Sequence, residues 1–507
     1  MSTTNARMPS LLLLSVFAVA TCGLIYELIA GTLASYLLGD SVTQFSTIIG
    51  VYLFSMGIGS YLSKYLNRNL LGWFIQIEIL VGLIGGTSSS ILFMLFDVVE
   101  SFRVLLYLLI GIIGILVGLE IPLLMRILDT QQFDFKEIVS KVFTFDYIGA
   151  LLASIIFPLI LVPYLGLIKT SYLFGILNVV VAWVMCAQYK GTFKWAAYLQ
   201  ASATVVLLFL LAGFVFSEKI QAFAETMAYN EKIIFSKSSA YQRIVLTRNN
   251  RDIRLYLNGN LQFSSTDEYR YHEALVHPGL QSLAQPANVL VLGGGDGLAV
   301  REIIKYPSVQ QITLVDLDRA MTDLFTRNPI LSELNQHALK SPKLTVVHAD
   351  AFQWIKTCRR QFDFVVIDFP DPSSYSIGKL YSNTFYRLLY PILTDNGVAV
   401  VQSTSPFVAP QAFWCVANTL QSVGFRTLPY HTYVPSFGDW GYVMAYKNTF
   451  QAARQYLPTL RFISAESFSQ MIHFPKDMQK VNTEVNRLNN QMLVHYFEAE
   501  WGKVNAP

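Results

Sequence analysis

The chain of 507 residues is 53 % hydrophobic and has a mean hydropathy of +0.41, which makes it more apolar than an ordinary soluble domain. Its formal net charge of +3, without any basic run, excludes an electrostatic case for nucleic-acid binding. Its four cysteines, Cys22, Cys186, Cys358 and Cys415, have the spacing of neither a disulfide framework nor a metal site.

The hydrophobic excess lies in the first 216 residues, where the sequence predicts a membrane domain (residues 1–216) with about seven transmembrane helices. Most of its apolar segments have the twenty or so residues that are needed to cross a bilayer. They are residues 10–38, 43–62, 70–96, 104–127, 146–165, 169–188 and 195–216. The first is too long for a signal peptide and is followed by six more segments. The sequence therefore predicts a multi-pass protein of the cell (inner) membrane, in contact with the lipid bilayer.

Acidic residues occur inside these segments, namely Glu27, Glu78 and Glu120, and Asp146 stands at the start of the fifth. Because a charge at membrane depth is costly, such residues usually face the interior of a helix bundle. They could form interhelical hydrogen bonds, or they could line a path for a cation or a polyamine. The sequence leaves both interpretations open.

The second half of the chain has the pattern of a soluble α/β protein. Residues 232–263 alternate between polar and apolar types around two turn signals, which predicts a small antiparallel sheet, and a helix over residues 267–280 completes residues 217–280. In residues 281–478, short apolar runs alternate with helical segments, which predicts a Rossmann-like domain of the class I methyltransferase type. Residues 479–507 are predicted to be a helical tail.

A glycine loop follows the first predicted strand of this domain, with Gly293, Gly294 and Gly295 in succession. Such a loop lets the backbone approach a ligand closely, although a tight turn without a ligand is the alternative interpretation. Asp316, about twenty residues further on, is placed to accept hydrogen bonds from ribose hydroxyls. Asp296 adds a carboxylate that would repel a pyrophosphate but suits a cation. The loop therefore favours a sulfonium nucleoside, such as S-adenosylmethionine or its decarboxylated form.

Five acids follow predicted strands: Asp296, Asp316, Asp350, Asp368 and Asp371. Because ligands of such sheets bind at the carboxyl ends of the strands, we expect these acids to line one rim. Asp350 alone would more often be a helix cap, whereas Asp368 and Asp371, separated by Phe369 and Pro370, define an acidic pocket. A metal site competes with this interpretation, but the glycine loop favours a nucleoside, and no metal is expected. Asp368 is the candidate base for a polyamine substrate, which arrives as an ammonium ion.

These residues resemble those of the spermidine synthase (polyamine aminopropyltransferase) family, in the form fused to a membrane domain in bacteria. The matching motifs run from about residue 236 to residue 477 and include DEYRYHE, GGGDG, HADAF, DFPDP and VPSFGDWGY. Three positions depart from the family pattern. Asp316 replaces a more usual Glu, Phe369–Pro370 replaces small polar residues, and Phe437 stands where a Tyr is frequent.

The resemblance implies that the co-substrate is decarboxylated S-adenosylmethionine, that no cofactor is bound permanently, and that Asp368 is the catalytic base. It implies that the nucleoside is bound by Gln242, Gly293, Gly295, Asp316, Asp350 and Ala351. It also implies that the amine is bound by Tyr271, His272, Asp296 and Asp371. Without the resemblance, His272 could be a surface residue of its helix.

The expected function is transfer of an aminopropyl group to an amine such as putrescine, which gives spermidine and methylthioadenosine. One alternative is an S-adenosylmethionine-dependent methyltransferase, which would not need the second acidic pocket. The other is a polyamine transporter or sensor with a non-catalytic Rossmann domain. A homo-oligomer is compatible with the sequence.

Two observations disagree on which side of the membrane the second half of the chain lies, and the first is the distribution of lysines and arginines. Eight of them lie on the N-terminal side of the predicted spans and only Arg103 and Lys169 lie on the other side. With seven crossings, the positive-inside rule places the N-terminus in the cytoplasm and the second half of the chain outside. A nucleoside made in the cytosol argues for a cytoplasmic catalytic domain, which is our expectation.

Overall fold

The computed structural model describes residues 7–504 apart from residues 39–40, 97–98, 100, 130–133, 190–194, 230 and 240. The chain divides into two units, Met1–Lys232 and Ile233–Pro507. The first is helical, and the second contains a small antiparallel sheet and a larger α/β sheet. This order confirms the predicted fold class.

Long apolar helices make up the first unit. Their bounds are α1 Arg7–Leu38, α2 Ser41–Leu62, α3 Leu70–Leu95, α4 Phe102–Asp129, α5 Phe135–Ile156, α6 Val162–Gln188 and α7 Ala196–Ala228. Small residues allow two of them to pack backbone to backbone. A Cβ atom on Gly59 of α2 would overlap the carbonyl group of Ile115, and one on Gly118 of α4 would overlap the backbone of Met56. Such contacts are typical of helices that associate without a strong hydrophobic driving force.

Six segments of the described residues are long and apolar enough to cross a membrane. One of them, Phe135–Gln188, comprises 54 residues and includes both α5 and α6. A single π-helical turn at Phe157–Leu161 joins these helices, and Gly166 interrupts the run with φ 72° and ψ 176°. The sequence divided the same region into two spans, 146–165 and 169–188, so the two counts differ only in how this segment is counted.

Two of the acids at membrane depth, Glu78 on α3 and Glu120 on α4, are completely buried. Each carboxyl group lies close enough to the other to interact by hydrogen bonding, but no donor among the described residues reaches any of their four oxygen atoms. The pair can therefore form a hydrogen bond only when one of the two groups carries a proton. Glu27 and Asp146 are only partly buried.

The second unit begins with a four-stranded antiparallel sheet of β1 Lys232–Ser238, β2 Arg243–Asn249, β3 Asp252–Leu257 and β4 Asn260–Ser264. The larger sheet contains β5 Asn288–Gly293, β6 Gln311–Asp316, β7 Leu344–His348, β8 Phe362–Asp368, β9 Leu393–Gln402, β10 Arg426–Val434 and β11 Gly438–Tyr446. Its helices are α8 Glu268–Leu280, α9 Leu298–Ile304, α10 Arg319–Arg327, α11 Pro329–Leu334, α12 Ala351–Thr357, α13 Tyr375–Gly378, α14 Asn383–Ile392, α15 Pro410–Gln421, α16 Ala465–Met471 and α17 Met492–Val504.

The strand order of the larger sheet is β10-β11-β9-β8-β5-β6-β7, and only β10 and β11 run antiparallel to their neighbours. The chain passes from β5 outward through β6 and β7 and then returns to add β8 on the other side of β5. Open α/β sheets bind ligands at such a switch point, beyond the carboxyl ends of the strands.

Both faces of this sheet are buried. Successive residues of a strand point to opposite faces, so each strand contributes to two hydrophobic clusters. In β5, Leu290 and Leu292 belong to one hydrophobic cluster, and Val289 and Val291 belong to the cluster on the other face. This double burial explains why the predicted strands are continuous apolar runs. It also fixes which backbone atoms reach the rim at Gly293.

The C-terminal tail differs from the prediction that residues 479–507 are helical. Within the part of the tail that the structure describes, residues 479–504, the helix is Met492–Val504 and the preceding segment is irregular. The asparagines in that segment form hydrogen bonds that compete with helix formation. Asn486 donates to the carbonyl of Gly378, and the side chain of Asn490 accepts a bond from the backbone of Arg487.

Candidate active site

The glycine loop lies at the switch point between β5 and β8. Gly293 has φ 81° and is paired with Asp368, and a Cβ atom there would overlap the carbonyl oxygen of Asp368. A Cβ atom on Gly295 would lie 2.6 Å from a carboxylate oxygen of Asp316. The loop therefore needs glycine for two reasons, positive φ and close approach to two acids.

Asp368 ends β8, directly beside the loop. The hydroxyl group of Tyr271, on α8, donates a hydrogen bond of 2.6 Å to its carboxylate. Burial raises the pKa of Asp368 to about 6; the neighbouring His272 lowers this pKa and the Asp296 carboxylate raises it. A carboxyl group with such a pKa is ionised at neutral pH but can accept a proton readily, as a general base must.

His272 is buried within α8, so the interpretation of this residue as a surface residue is wrong. Its ring Nδ1 lies 2.8 Å from the carboxylate of Glu268, which in turn receives two hydrogen bonds from Arg301, of 2.8 and 2.9 Å. Burial lowers the pKa of His272, but the hydrogen bond and charge of Glu268, together with the charges of Asp296 and Asp368, outweigh this effect and raise the pKa to about 8. The site therefore contains a histidine cation that interacts with Asp296 and Asp368.

Asp296 is held at the start of α9, where its side chain accepts a hydrogen bond of 2.9 Å from the backbone of Leu298. Burial raises its pKa, while His272 lowers it. Asp296 also raises the pKa of Asp316, although burial is the larger cause of the increase to about 6. Asp296 therefore lies near both Asp316 and Asp368 at one rim, as the sequence predicted.

Asp371 forms a second acidic position beyond Phe369 and Pro370. Burial raises its pKa to about 7, and interactions with Gln402 and Thr404 lower it. Gln402 also donates to the carbonyl of Phe369 at 2.6 Å and to the hydroxyl of Tyr381 at 2.9 Å. The loop that carries Asp371 is thereby fixed to the end of β9.

The rim continues at the ends of β6 and β7. Gln242 donates a bond of 2.9 Å to Asp318, whose backbone N–H donates to Asp316 at 2.8 Å. Asp350 caps α12, in which Ala351 is the first residue, and forms an ion pair of 2.7 Å with Lys379. Asp350 therefore has the capping role that the sequence offered as an alternative. Its side chain is one-third exposed, which leaves part of it accessible to a ligand.

Three groups at this site were not predicted from the sequence. Arg301 and Glu268 lie on different helices, and both look like ordinary surface residues in a helical pattern. Thr404 follows β9 and has φ 55°, which is unusual for a β-branched residue. These three residues have no signal in the sequence. By contrast, the helix-capping role of Asp318 could have been predicted, because this residue follows a strand and precedes a helix. Among the described residues, no group of three His, Cys, Asp or Glu side chains forms a metal site.

The arrangement combines an acidic rim, a glycine loop and a candidate base. Comparison with known proteins gives a consistent assignment. The spermine/spermidine synthase domain matches residues 268–455. The chain is 52 % identical to polyamine aminopropyltransferase 2 of Ralstonia nicotianae, over 97 % of this chain and 98 % of that protein. It is 50 % identical to the polyamine aminopropyltransferase of Leptospira interrogans, over 98 % of this chain and 100 % of that protein.

Spermidine synthase from Thermotoga maritima is a solved structure that aligns with 49 % of this chain and 87 % of its own, at 25 % identity and a TM-score of 0.45. The similarity to the curated relatives, by contrast, extends over both units of the chain. The chain therefore belongs to the polyamine aminopropyltransferase family.

Proposed function

We propose that the protein transfers the aminopropyl group of decarboxylated S-adenosylmethionine to a diamine such as putrescine, with Asp368 as the base. The observation that carries this proposal is the position of Asp368, beside the glycine loop, bonded to Tyr271 and close to a second carboxylate, Asp296. Its pKa of about 6 suits a group that must receive a proton from an ammonium ion near neutral pH.

The nucleoside would lie along the ends of β5, β6 and β7. In this proposal Gly293 and Gly295 allow its close approach and Asp316 accepts hydrogen bonds from the ribose. Gln242, Asp350 and Ala351 would contact the remainder of the nucleoside. The acids Asp296 and Asp368 would attract the aminopropyl ammonium of the decarboxylated form and repel the carboxylate of S-adenosylmethionine itself.

The amine would occupy the pocket of Tyr271, His272, Asp296 and Asp371. Asp371 would bind the distal ammonium, and Asp368 would take a proton from the reacting one. The free amine then attacks the carbon next to sulfur, so that a C–N bond forms while the C–S bond breaks. The electron pair of the C–S bond stays on the sulfur of methylthioadenosine. His272, as a cation, would contribute by keeping Asp296 and Asp368 ionised rather than by contacting the amine.

The test is calorimetric binding of decarboxylated and carboxylated S-adenosylmethionine to the detergent-solubilised protein, combined with turnover on putrescine and spermidine. We expect preference for the decarboxylated form and amine-dependent release of methylthioadenosine. Asp368→Asn should retain nucleoside binding and lose about 10²–10⁴-fold in kcat, the usual contribution of a general base. Preference for the carboxylated form would instead indicate a methyltransferase, and binding without turnover would indicate a sensor or transporter.

We further propose that the N-terminal helices span a membrane. Large apolar side chains are exposed on several of these helices, including Phe54, Val104, Leu208 and Val215. Extensive apolar surface of this kind is rare in soluble monomers. The segment Phe135–Gln188 would extend over roughly 80 Å as a single helix, far more than the ~30 Å hydrocarbon layer. We therefore count it as two crossings, seven in total.

In this proposal, residues 1–216 form the membrane domain, residues 217–280 the small β-domain with its helix, residues 281–478 the transferase domain and residues 479–507 the tail. The catalytic unit faces the cytoplasm, where its nucleoside is made. Seven crossings would then place the N-terminus outside, against the lysine and arginine bias of the loops. Reporter fusions at both ends measure the crossing number and the orientation together. A reporter that is active on the external side at the C-terminus would refute the cytoplasmic assignment.

A further inference from the structure

The C-terminal helix α17 reaches the amine side of the candidate active site through Trp501. The indole N–H of Trp501 donates a hydrogen bond of 3.1 Å to the hydroxyl oxygen of Thr404. Trp501 also packs against both hydrophobic clusters of the larger sheet. It therefore has a fixed position, from which it can hold Thr404 in place.

Thr404 has a strained backbone that needs such support. Its φ of 55° is in the left-handed region, which β-branched residues rarely adopt. Its N–H donates to the side chain of Gln402 at 3.2 Å, and its carbonyl accepts a bond of 2.7 Å from Gly441. The bond from Trp501 is the third restraint. Strain that is held in this way is typical of functional sites.

The strained residue is directly connected to Asp371. Gln402, whose side chain accepts the N–H of Thr404, donates a hydrogen bond of 3.4 Å to the Asp371 carboxylate and one of 2.6 Å to the carbonyl of Phe369 in the same loop. The Thr404 side chain also interacts with the Asp371 carboxyl group. A change in the backbone at Thr404 would therefore move both side chains that orient Asp371.

The tail is also held at Glu500 and at Asn486, which both precede Trp501 in the chain. Glu500 accepts hydrogen bonds of 3.1 Å from the backbone N–H groups of Gln411 and Ala412, at the start of α15. The segment before α17 binds the loop after Asp371, because Asn486 donates to the carbonyl of Gly378 at 3.0 Å. The tail thus packs on the two chain segments that flank the Asp371 pocket.

We propose that the C-terminal tail is a positioning element of the amine site, in which Trp501 holds Thr404 so that Thr404 and Gln402 orient Asp371 toward the distal ammonium of the amine. This inference rests on the proposed role of Asp371 in amine binding. Trp501 does not touch the substrate, so its removal should weaken amine binding and leave the nucleoside site and the chemical step intact.

Trp501→Phe tests the proposal, because phenylalanine keeps most of the packing and removes only the N–H. We expect the KM for putrescine to rise about three- to tenfold, as for the loss of one hydrogen bond, with kcat at saturating putrescine and the affinity for decarboxylated S-adenosylmethionine unchanged. The matched control is Trp414→Phe, since Trp414 donates an indole bond of the same length, 3.1 Å, to the backbone carbonyl of Met478, just before the tail. This control should leave the KM unchanged.

A second pair of variants separates positioning from general stability. Thr404→Val keeps the branched side chain and the strain but removes the hydroxyl group, whereas Thr404→Ser keeps the hydroxyl group. We expect the valine variant to reproduce the increase in KM and the serine variant to resemble the wild type. Equal KM values for Trp501→Phe, Trp414→Phe and the wild type would overturn the positioning role alone. A wild-type protein that neither binds nor converts putrescine would overturn the proposed function as well.

Discussion

The pKa of Asp368 can be shifted in opposite directions by two conservative substitutions, which tests its role as the base. Tyr271 stabilises the ionised carboxylate by a hydrogen bond, whereas the charge of Asp296 destabilises it. Tyr271→Phe should therefore raise the pKa of Asp368, and Asp296→Asn should lower it. The catalytic rate falls when this base is protonated, so the acidic limb of the pH profile should move to higher pH in the first variant and to lower pH in the second.

The size of the first shift follows from the bond that is lost. A hydrogen bond to a charged group contributes about 1.5–3 kcal/mol, and one pKa unit corresponds to about 1.4 kcal/mol. Because Asp368 is partly accessible to solvent, which weakens the interaction, we expect a shift of about one pH unit for Tyr271→Phe. Removal of the Asp296 charge acts over a longer distance, and about half a unit in the other direction is expected.

The assay is release of methylthioadenosine as a function of pH, with putrescine and the nucleoside at saturating concentrations. Saturation keeps Asp371, whose free pKa is about 7, from adding its own titration to the profile. Tyr433→Phe is the matched control, since the Tyr433 ring is exposed and should leave the profile unchanged. Acidic limbs that stay in place in both variants, or that move in the same direction, would refute Asp368 as the titrating base.

Two further substitutions test the glycine loop and the buried acids. Gly293→Ala should abolish nucleoside binding, because its Cβ would overlap the carbonyl of Asp368; Gly259→Ala, at the same positive φ but with open space around it, should cost only about 1 kcal/mol and leave binding intact. If both alanine variants bind alike, the close approach is unimportant. Glu120→Gln should raise the thermal unfolding temperature in detergent, because its amide supplies a donor to Glu78 and is worth about 1–3 kcal/mol. A lower unfolding temperature would instead indicate that both carboxyl groups stabilise the fold.

The rim of the site could be predicted because each of its acids follows a strand that is visible in the sequence. Phe364–Ile367 is an apolar run buried on both faces, so its end, and hence Asp368, was predictable without tertiary information. The same argument located Asp296 and Asp316. Since neighbouring parallel strands end at one edge, the prediction that these acids lie together required only the order of strands and helices.

The supporting residues could not be predicted, because their partners are distant in the sequence. Arg301 occupies a helix of ordinary pattern, and only the packing of α9 on α8 brings it to Glu268, 33 residues away. Trp501 meets Thr404 across 97 residues. Local periodicity contains no information on such contacts. It also measures apolar content rather than helix length, which is why the predicted span 146–165 begins eleven residues after the start of α5 at Phe135.

The balance of charges in the site explains how it could select a cationic substrate. The Glu268 carboxylate favours the protonated form of His272. The His272 cation then compensates part of the charge of Asp296 and Asp368 in a partly buried pocket. Without it, burial would raise the pKa values further and leave neutral carboxylic acids, which bind an ammonium ion weakly. With complete compensation, the acids would no longer attract a cation. The site therefore keeps an excess of negative charge, which the ammonium groups of the aminopropyl donor and of the amine can neutralise.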